Sequence, residues 1–564
     1  MKVLLHDVNR IEWELVKPEA VVYERDAPKK QSVGEALVLF VAVERGDTEA
    51  FASKAVKEAI EFAQKLKRKT LVVYPYAHLS SDLEQPERAM TLFHYMVKEA
   101  ENKSGLKVFH SAFGWNKSFV LDVKGHPLAE QYKSYGSGEG AAGKPKKRAY
   151  NTALARKVDW GSLPDADHRT IAEKQNLFSF QEVSPGMVYW HNNGFIIYKE
   201  LVKFIREKLE EYDYQEISTP IMADTALWHI SGHIEHYREN MFILEAGDHE
   251  LGVKPMNCPF AMLVFKSRKR SYRDMPQRYA EFGKLYRNEI SGALTGLFRV
   301  RELVQDDAHL FVREDQVKQE LNSILKLLDD LYKPFGFTQK AKLSTMPDGR
   351  MGSDEVWEKA TNVLKGVLKE NKMKYDLKEK EGSFYGPKID FDIKDSMGRE
   401  WQCATVQVDY NMPERFGLSY VGEDGKEHTP VTLHKAIYGS LERFIGVLIE
   451  HLQGKFPTWL APVQVRVITI SDPASKYAEK VYAELKKNHI RAELDISDST
   501  LQYKIREGQL SQVPYMIVLG GKEAEAETIS VRSRSGKQKM GARLEEFIAS
   551  LNSEIKERKG ELML

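Results

Sequence analysis

Two short apolar runs, ALVLFVAV at 36–43 and TLVVYPYA at 70–77, bracket a stretch whose apolar residues recur at helical spacing, EAFASKAVKEAIEFAQKLK at 49–67. Runs of this length read as strands and the 3.6-residue period as a helix, so the pattern predicts strand, helix, strand in a small α/β domain. The signal fades near Glu130. SYGSGEGAAGKPKKR at 134–148 then supplies glycines, a proline and a basic cluster with no apolar face, which is linker composition. Globular patterning resumes near Asp165, with an amphipathic helix at 194–212 and the proline-containing segment EISTPIM at 216–222. Mixed strands and loops continue to about Pro457. Beyond them the chain alternates: strand at 463–470, helix at 476–488, strand at 491–496, helix at 501–510, strand at 513–520 and a last helix at 544–558. Strands separated by helices predict a mostly parallel sheet in a terminal α/β domain. The expected boundaries are 1–135, a linker at 136–164, then 165–460 and 461–564.

Length agrees with that division, because 564 residues exceed one ordinary core and suggest about three or four units. Lysine and arginine total 83 against 82 aspartate and glutamate, so a net charge of +1 provides no global field for a polyanion, and any nucleic-acid surface must be local. Cys258 and Cys403 are the only cysteines, which excludes a disulfide framework and fits a reducing compartment. No apolar stretch approaches the ~20 residues of a bilayer span, and MKVLLHDVNRIEWEL turns charged too soon for a signal peptide. The expectation is a soluble, cytoplasmic protein with no membrane partner.

The chemistry concentrates in two arginine-bearing stretches, YRNEISGALTGLFRVRELVQDDAH at 286–309 and GSLERFIGVLIEH at 439–451. Singly, such patterns fit surface ion pairs. Their order, separation and flanks resemble motifs 2 and 3 of the class II aminoacyl-tRNA synthetases. The resemblance implies that Arg287 contacts the α-phosphate of ATP, Glu289 orients the nucleotide, and Gly439 opens a helix whose Arg443 also contacts it. Arginine suits this work, because attack of a carboxylate on a phosphate accumulates negative charge that fixed guanidinium groups and Mg²⁺ stabilise. IREKLEEYDYQEISTPIM at 205–222 matches the helix and strand of motif 1, whose proline, Pro220 here, marks a homodimer interface in that class. On physical grounds alone that proline says only that a strand is an edge or is ending.

Longer strings narrow the resemblance. LWHISGHIEHYRENMF (227–242), VKPMNCP (253–259), SYRDMPQRYAEFG (271–283), FYGPKIDF (384–391), WQCATVQVDY (401–410) and TLHKAIYGSLERFIG (432–446) resemble the threonyl-tRNA synthetases from about Asp165 onward. The fold this implies is an antiparallel-sheet catalytic core between two α/β domains, making an α/β and α+β multidomain chain. The implied reaction is L-threonine plus ATP to threonyl-adenylate and pyrophosphate, then transfer to tRNA(Thr), with no covalent enzyme intermediate. It also implies one Zn²⁺ held by Cys258, His309 and His434. Spacing among 16 histidines would not have shown that trio. Three protein ligands leave a coordination position for substrate, and in the family it takes the amino and hydroxyl groups of threonine. Asp307, Gln305, Tyr385 and Gln407 carry over to the amino acid, Arg299 and Gln402 to ATP, and Lys388 to the catalytic pocket. Two departures stand out. Cys258-Pro259-Phe260-Ala261 replaces the bacterial CPGH, and Leu303 stands where the family commonly stacks a phenylalanine on adenine.

The ends extend the resemblance. The last domain resembles the anticodon-binding domain shared by the threonyl, prolyl, glycyl and histidyl enzymes, with Glu523 and Arg532 at base-reading positions; by pattern alone ISVRSRSGKQKM is a solvated charged hairpin. YPYAHLSSDLEQP (74–86) and FGWNKSFVLDVKGHPLAE (113–130) resemble the archaeal threonyl-tRNA synthetase editing domain, itself similar to D-aminoacyl-tRNA deacylases. That maps its pocket to His78, Lys117 and Glu130, with Asn116 in place of a family tyrosine. A trans-acting hydrolase with a decayed core, or a noncatalytic tRNA-binding regulator, is the rival reading. Retention of Arg287, Glu289, Arg443 and the three candidate ligands argues against both.

Overall fold

The first strand, Lys2–Pro18, spans 17 residues and organises everything around it. In the computed structural model, which describes residues 1–18, 22–80, 82–103, 105–126, 128–135, 157–247, 249–560 and 562–563, the chain divides into two units, Met1–Asn151 and Thr152–Leu564. Most of the predicted linker, including the KPKKR run, lies outside the described residues.

In the first unit, Lys2–Pro18 pairs antiparallel with Lys30–Val33, Ala36–Ala42, Trp115–Val123 and Glu130–Ser134, and Ala36–Ala42 continues in parallel to Thr70–Pro75 and Lys107–His110. All seven residues of Ala36–Ala42 are buried, as a continuous apolar run in a two-sided strand should be. Leu37, Leu39 and Val41 pack under the helices Glu49–Lys65 and Pro86–Lys103, while Ala36, Val38 and Phe40 face a second core with Trp13 and Tyr74. Pleating predicts that split. Lys2–Pro18 does not keep one alternation. Val3 and Leu5 join the helix-side core, but Ile11, Trp13 and Leu15 join the other, with a register shift between Val8 and Arg10. One extra residue exchanges the two faces.

The second unit carries a nine-stranded sheet. Its centre runs Gln277–Glu281, Glu302–Val312, Val431–Ser440, Glu400–Asp409, Lys388–Lys394, Thr338–Ser344, all antiparallel. Parallel pairing is confined to the outermost strands, Gln215–Glu216 and Tyr375–Lys378. Helices Asn192–Glu211, Val317–Tyr332 and Leu441–Leu452 bury their apolar stripes in the same core. The strand before Pro220 ends at Glu216. A smaller five-stranded sheet follows, ordered Ala492–Asp495, Val465–Thr469, Tyr515–Leu519, Ile529–Ser533, Gln538–Ala542. Only the first three strands are parallel; the charged stretch near 530 is an antiparallel hairpin built into the sheet. Arg491 reaches Glu200 at 2.9 Å, and Arg558 pairs with Glu207, fastening this sheet to the long helix of the core.

Candidate active site, metal-ligand cluster and editing pocket

Between the register pairs Gln305–Ser440 and Asp307–Ala436 the central strands fall out of step, because Val431–Ser440 spends extra residues there. The amides of Ile437, Tyr438 and Gly439 donate at 2.9–3.0 Å to the buried carboxylate of Asp306. Gly439 has φ +71°, and a Cβ on it would lie 2.6 Å from the Cys403 carbonyl oxygen. Only glycine fits that position. Ser440 then caps the helix Leu441–Leu452, its Oγ accepting the Arg443 amide at 3.1 Å, and Arg443 Nε donates to the Phe298 carbonyl at 3.0 Å.

On one side of Gly439 is a cavity of about 270 Å³ lined by Cys258, Asp307, Gln305, Tyr385, Gln407 and His434 among others. His309 and His434 are direct register partners, and Cys258 opens the helix Cys258–Lys266 against them. The three residues are buried, and their potential ligand atoms all lie within 4.8 Å of one another. His434 Nε2 is 3.0 Å from Asp409 Oδ2, and among the described residues neither His434 Nδ1 nor His309 Nε2 has a partner. Orphaned buried ring nitrogens beside a thiol are what a bound cation would satisfy, and a carboxylate orienting the second nitrogen is the usual outer support of a histidine ligand. The donor set, one sulfur and two imidazoles, suits zinc. Burial pushes the Cys258 thiol well above its ordinary range and His309 well below its own, with like charges in the cluster adding to both. A cation reverses the thiol's shift and keeps the imidazole neutral. Burial also raises Asp307 to about 6, opposed by a hydrogen bond from Asn257 Nδ2 at 3.1 Å. Tyr385 donates to Gln407, whose amide donates to Ser383 at 2.9 Å.

On the other side is a cavity of about 420 Å³ lined by Arg287, Glu289, Arg299, Leu303, Gln402 and Arg443 among others. Arg287, Gln305, Cys403, Thr405 and Gly439 belong to both cavities. Arg299 Nε donates to Glu289 at 2.8 Å. The loop carrying Arg299 is pinned by a residue that sequence reasoning missed. The Leu297 amide donates to His168 Nε2 at 3.0 Å, His168 Nδ1 lies 2.7 Å from Glu450, and Phe298 packs between His168 and Trp401 at 4.3 Å from each. Asp167, His168 and Glu450 are close enough to ligate a metal, but both His168 ring nitrogens are taken, so the cluster reads as a structural clamp. Asn257 and Ser383 were likewise missed; both lie within or beside the quoted strings, but nothing in their spacing marks them. Lys388 lines neither cavity. Its Nζ is 2.7 Å from Asp390, and Lys388 is the register partner of Gln407, which does line the first cavity.

In the first unit a cavity of about 380 Å³ is lined by His78, Asn116, Lys117, Tyr76 and Phe119 among others. Lys117 Nζ donates to the Ala112 carbonyl at 2.6 Å and lies 4.5 Å over the Tyr74 ring. Burial lowers its pKa to about 7, partly opposed by Glu24. Glu130 is not among the lining residues; it is exposed, 3.3 Å from His6 Nδ1. In the small sheet, Arg532 is the fourth residue of the strand Ile529–Ser533, its Nε buried and without a partner among the described residues, whereas both Glu523 oxygens are occupied, by the Gly520 amide at 3.0 Å and the Ser530 hydroxyl at 2.8 Å.

Three family models match. Residues 1–135 match the Archaea-specific editing domain of threonyl-tRNA synthetase, residues 241–452 the tRNA synthetase class II core domain (G, H, P, S and T), and residues 464–554 an anticodon binding domain. Threonine–tRNA ligase of Thermotoga neapolitana is 50% identical over 425 residues, covering 74% of this chain. That of Clostridium botulinum is 49% identical over 419 residues, covering 73%. Each alignment spans 66% of the ligase's own length. The solved RNA binding domain of threonyl-tRNA synthetase from Cryptosporidium parvum superposes with a TM-score of 0.67 and 41% identity, covering 69% of this chain and 98% of that one. With its class II core, its editing domain of archaeal type and its anticodon-binding domain each matched, the chain belongs to the threonyl-tRNA synthetase family.

Proposed function

We propose that this chain activates L-threonine with ATP, transfers it to tRNA(Thr), and hydrolyses seryl-tRNA(Thr) in its first unit. The observation that carries the reading is the junction of two cavities at Arg287 and Gly439, one ending on Cys258, Asp307 and His434, the other walled by Glu289, Arg299, Gln402 and Arg443. An amino-acid carboxylate and an α-phosphate can meet only at such a junction. A carboxylate oxygen attacks the α-phosphorus and pyrophosphate leaves. A ribose hydroxyl of tRNA then attacks the carbonyl carbon and AMP leaves. Arg287 and Arg443 stabilise the phosphate charge that develops, and holding the reactants together supplies much of the rest.

Cys258, His309 and His434 are assigned to one Zn²⁺, which when bound supplies an anchor for the amino and hydroxyl groups of threonine. Valine lacks the hydroxyl, and a pocket built around that polar contact rejects it strongly. Asp307, Gln305, Tyr385 and Gln407 orient the amino acid, Lys388 acts on the pocket wall through Asp390, and Mg²⁺ enters with ATP. Glu523 and Arg532 are assigned to the anticodon, Arg532 by direct contact and Glu523 by holding the adjoining helix and strand. Residues 1–135, 165–460 and 461–564 are the proposed editing, catalytic and anticodon-binding portions of a cytoplasmic homodimer whose interface includes Pro220.

Serine keeps both groups that engage the metal and lacks only a methyl. That difference is worth about 1–3 kcal/mol, too little for faithful translation, and a second, hydrolytic site is the expected remedy. Lys117 is assigned to positioning the substrate there, and His78 and Glu130 to shaping the pocket and its hydrogen bonds, Glu130 beside His6. Threonine-dependent ATP–pyrophosphate exchange tests the synthetic reading, and its absence from metal-replete protein would favour the hydrolase or regulator. Lys117→Ala should leave exchange intact while seryl-tRNA(Thr) accumulates; undiminished deacylation would remove editing from this pocket.

A further inference from the structure

The first unit holds a carboxylate that none of the roles above employs. Glu24, largely buried, lines a separate cavity of about 460 Å³ with His110 and Ala112, and grips one short loop of the editing cavity through side chain and backbone together. Its Oε2 accepts the Phe113 amide at 2.9 Å, its own amide donates to the Phe113 carbonyl at 3.2 Å, and its carbonyl accepts the Trp115 indole N–H at 2.7 Å. Its Oε1 lies 2.9 Å from His94 Nε2 and 3.6 Å from His110 Nε2. Between the gripped residues, Gly114 has φ +77°, and a Cβ there would lie 2.5 Å from the Val22 carbonyl oxygen. The loop is therefore seated on the Glu24 segment with no room for a side chain between them. Phe113, Gly114, Trp115 and Asn116 all line the cavity. Immediately before them, Ala112 presents the carbonyl that receives Lys117 Nζ.

We infer that Glu24 is a positioning residue for hydrolysis of the mischarged ester, setting the loop whose Ala112 carbonyl aims Lys117 Nζ along the cavity wall shared with His78 and Asn116. The inference rests on the proposal that this pocket edits. Two features support it beyond the hydrogen bonds. The Glu24 charge favours the Lys117 ammonium against the burial that lowers it. Glu24 in turn is kept ionised: burial alone would raise it, but His110 and the Phe113 amide hold it below the ordinary glutamate range, with His94 adding charge. The titratable groups facing this node are His94 from the helix Pro86–Lys103, His110 from the strand Lys107–His110, and Lys117 from Trp115–Val123, with Glu101 acting on His110.

The test uses full-length protein and preformed seryl-tRNA(Thr). Glu24→Gln should lower the deacylation kcat about tenfold or more with little change in KM, because misaiming a working group by a fraction of an ångström costs rate before affinity. It should also move the limb of the pH–rate profile governed by Lys117 to lower pH, since the charge favouring the ammonium is gone. Glu24→Asp, which keeps the charge but shortens the reach, should restore the limb and recover only part of the rate. A merely structural residue would lower the amount of folded unit without moving the limb. Wild-type kcat and an unmoved limb in Glu24→Gln overturn the inference. If that variant does not fold, Glu24→Asp decides: a reduced kcat with the limb in place supports the role, and wild-type kcat overturns it. Lys117→Ala run alongside separates the two claims, because normal deacylation there sinks the editing reading itself.

Discussion

Replacing Gly439 by alanine tests whether the backbone between the two cavities is as constrained as its contacts imply. The substitution adds one methyl group and removes nothing. With φ at +71°, a β-carbon costs roughly 1–2 kcal/mol in the left-handed region alone. The methyl would also stand 2.6 Å from the Cys403 carbonyl oxygen, closer than carbon and oxygen can approach, so one strand must yield by several tenths of an ångström. The Gly439 side does not yield readily, because its amide is one of three held by Asp306, and Cys403 is the extra residue where Glu400–Asp409 falls out of register with Lys388–Lys394, wedged between the paired Gln402 and Ala404. The displacement passes to Ser440 and the start of the helix bearing Arg443.

A shift approaching 1 Å at Arg443, the group proposed to contact the reacting phosphate, costs up to about 10²-fold in rate. Threonine-dependent pyrophosphate exchange should therefore fall by about 10–10² in Gly439→Ala, while thermal unfolding of the second unit shows a loss of only about 1–3 kcal/mol. KM for threonine should change less than kcat, because Cys258, His309 and His434 are untouched. Exchange within twofold of wild type would refute the reasoning, since it would mean that the bulge can relax without disturbing Arg443.

Cys258→Ala should abolish both tight zinc, expected at about one ion per chain, and threonine activation, as metal analysis and exchange on the same preparation will show. Full activity in metal-free protein would remove the cluster from the mechanism. Arg532→Ala should raise the apparent KM for tRNA and spare exchange; equal losses in both assays would indicate a folding defect instead. Glu442 is buried, which raises its pKa to about 7 despite hydrogen bonds from the Val304 amide and the Ser440 hydroxyl. Above about pH 4.5 the unfolded chain releases this proton while the folded chain keeps it, so the carboxyl subtracts stability progressively between about pH 4.5 and 7, by of order 3 kcal/mol at most. Glu442→Gln should therefore gain on wild type as pH rises through that window and hold a constant difference above it; parallel stability curves would contradict the assignment.

Sequence periodicity located the elements that are regular throughout. The run at 36–43 is a two-sided strand and the pattern at 194–212 is the helix Asn192–Glu211. It failed where regularity breaks. Lys2–Pro18 was not recognised because its apolar parity reverses near Val8–Arg10, so neither half is long enough to show a clean alternation. The stretch near 530 read as a charged hairpin, which it is, but its charge concealed that Ile529 and Val531 on the other side build it into the sheet. The candidate site was legible only through longer strings. His309 and His434 are 125 positions apart and become neighbours solely through strand register. Glu24 and His168 carry no motif at all, and their roles arise from which backbone amides happen to lie opposite them.

Those silent residues share a property. Asp306 receives three amides, His168 joins Glu450 to Leu297, and Lys254 Nζ contacts Glu281 and Thr219 at 3.0 Å, tying the segment before Pro220 to the strand beside Asp307. Each is a buried polar group that an apolar residue of similar volume could replace with little loss of stability, or even a gain, if its partners were replaced as well. What an apolar residue could not do is choose among backbone arrangements. Apolar contact is nearly indifferent to a shift of half an ångström, whereas a carboxylate accepting three amides is not. These nodes adjoin Gly439, the loop carrying Arg299 and the strand beside Asp307, the places where displacement would reach the proposed reacting groups first. Their removal should therefore be felt first as lost rate and only afterwards as lost stability, and the buried polar positions of the second unit are where those two losses separate.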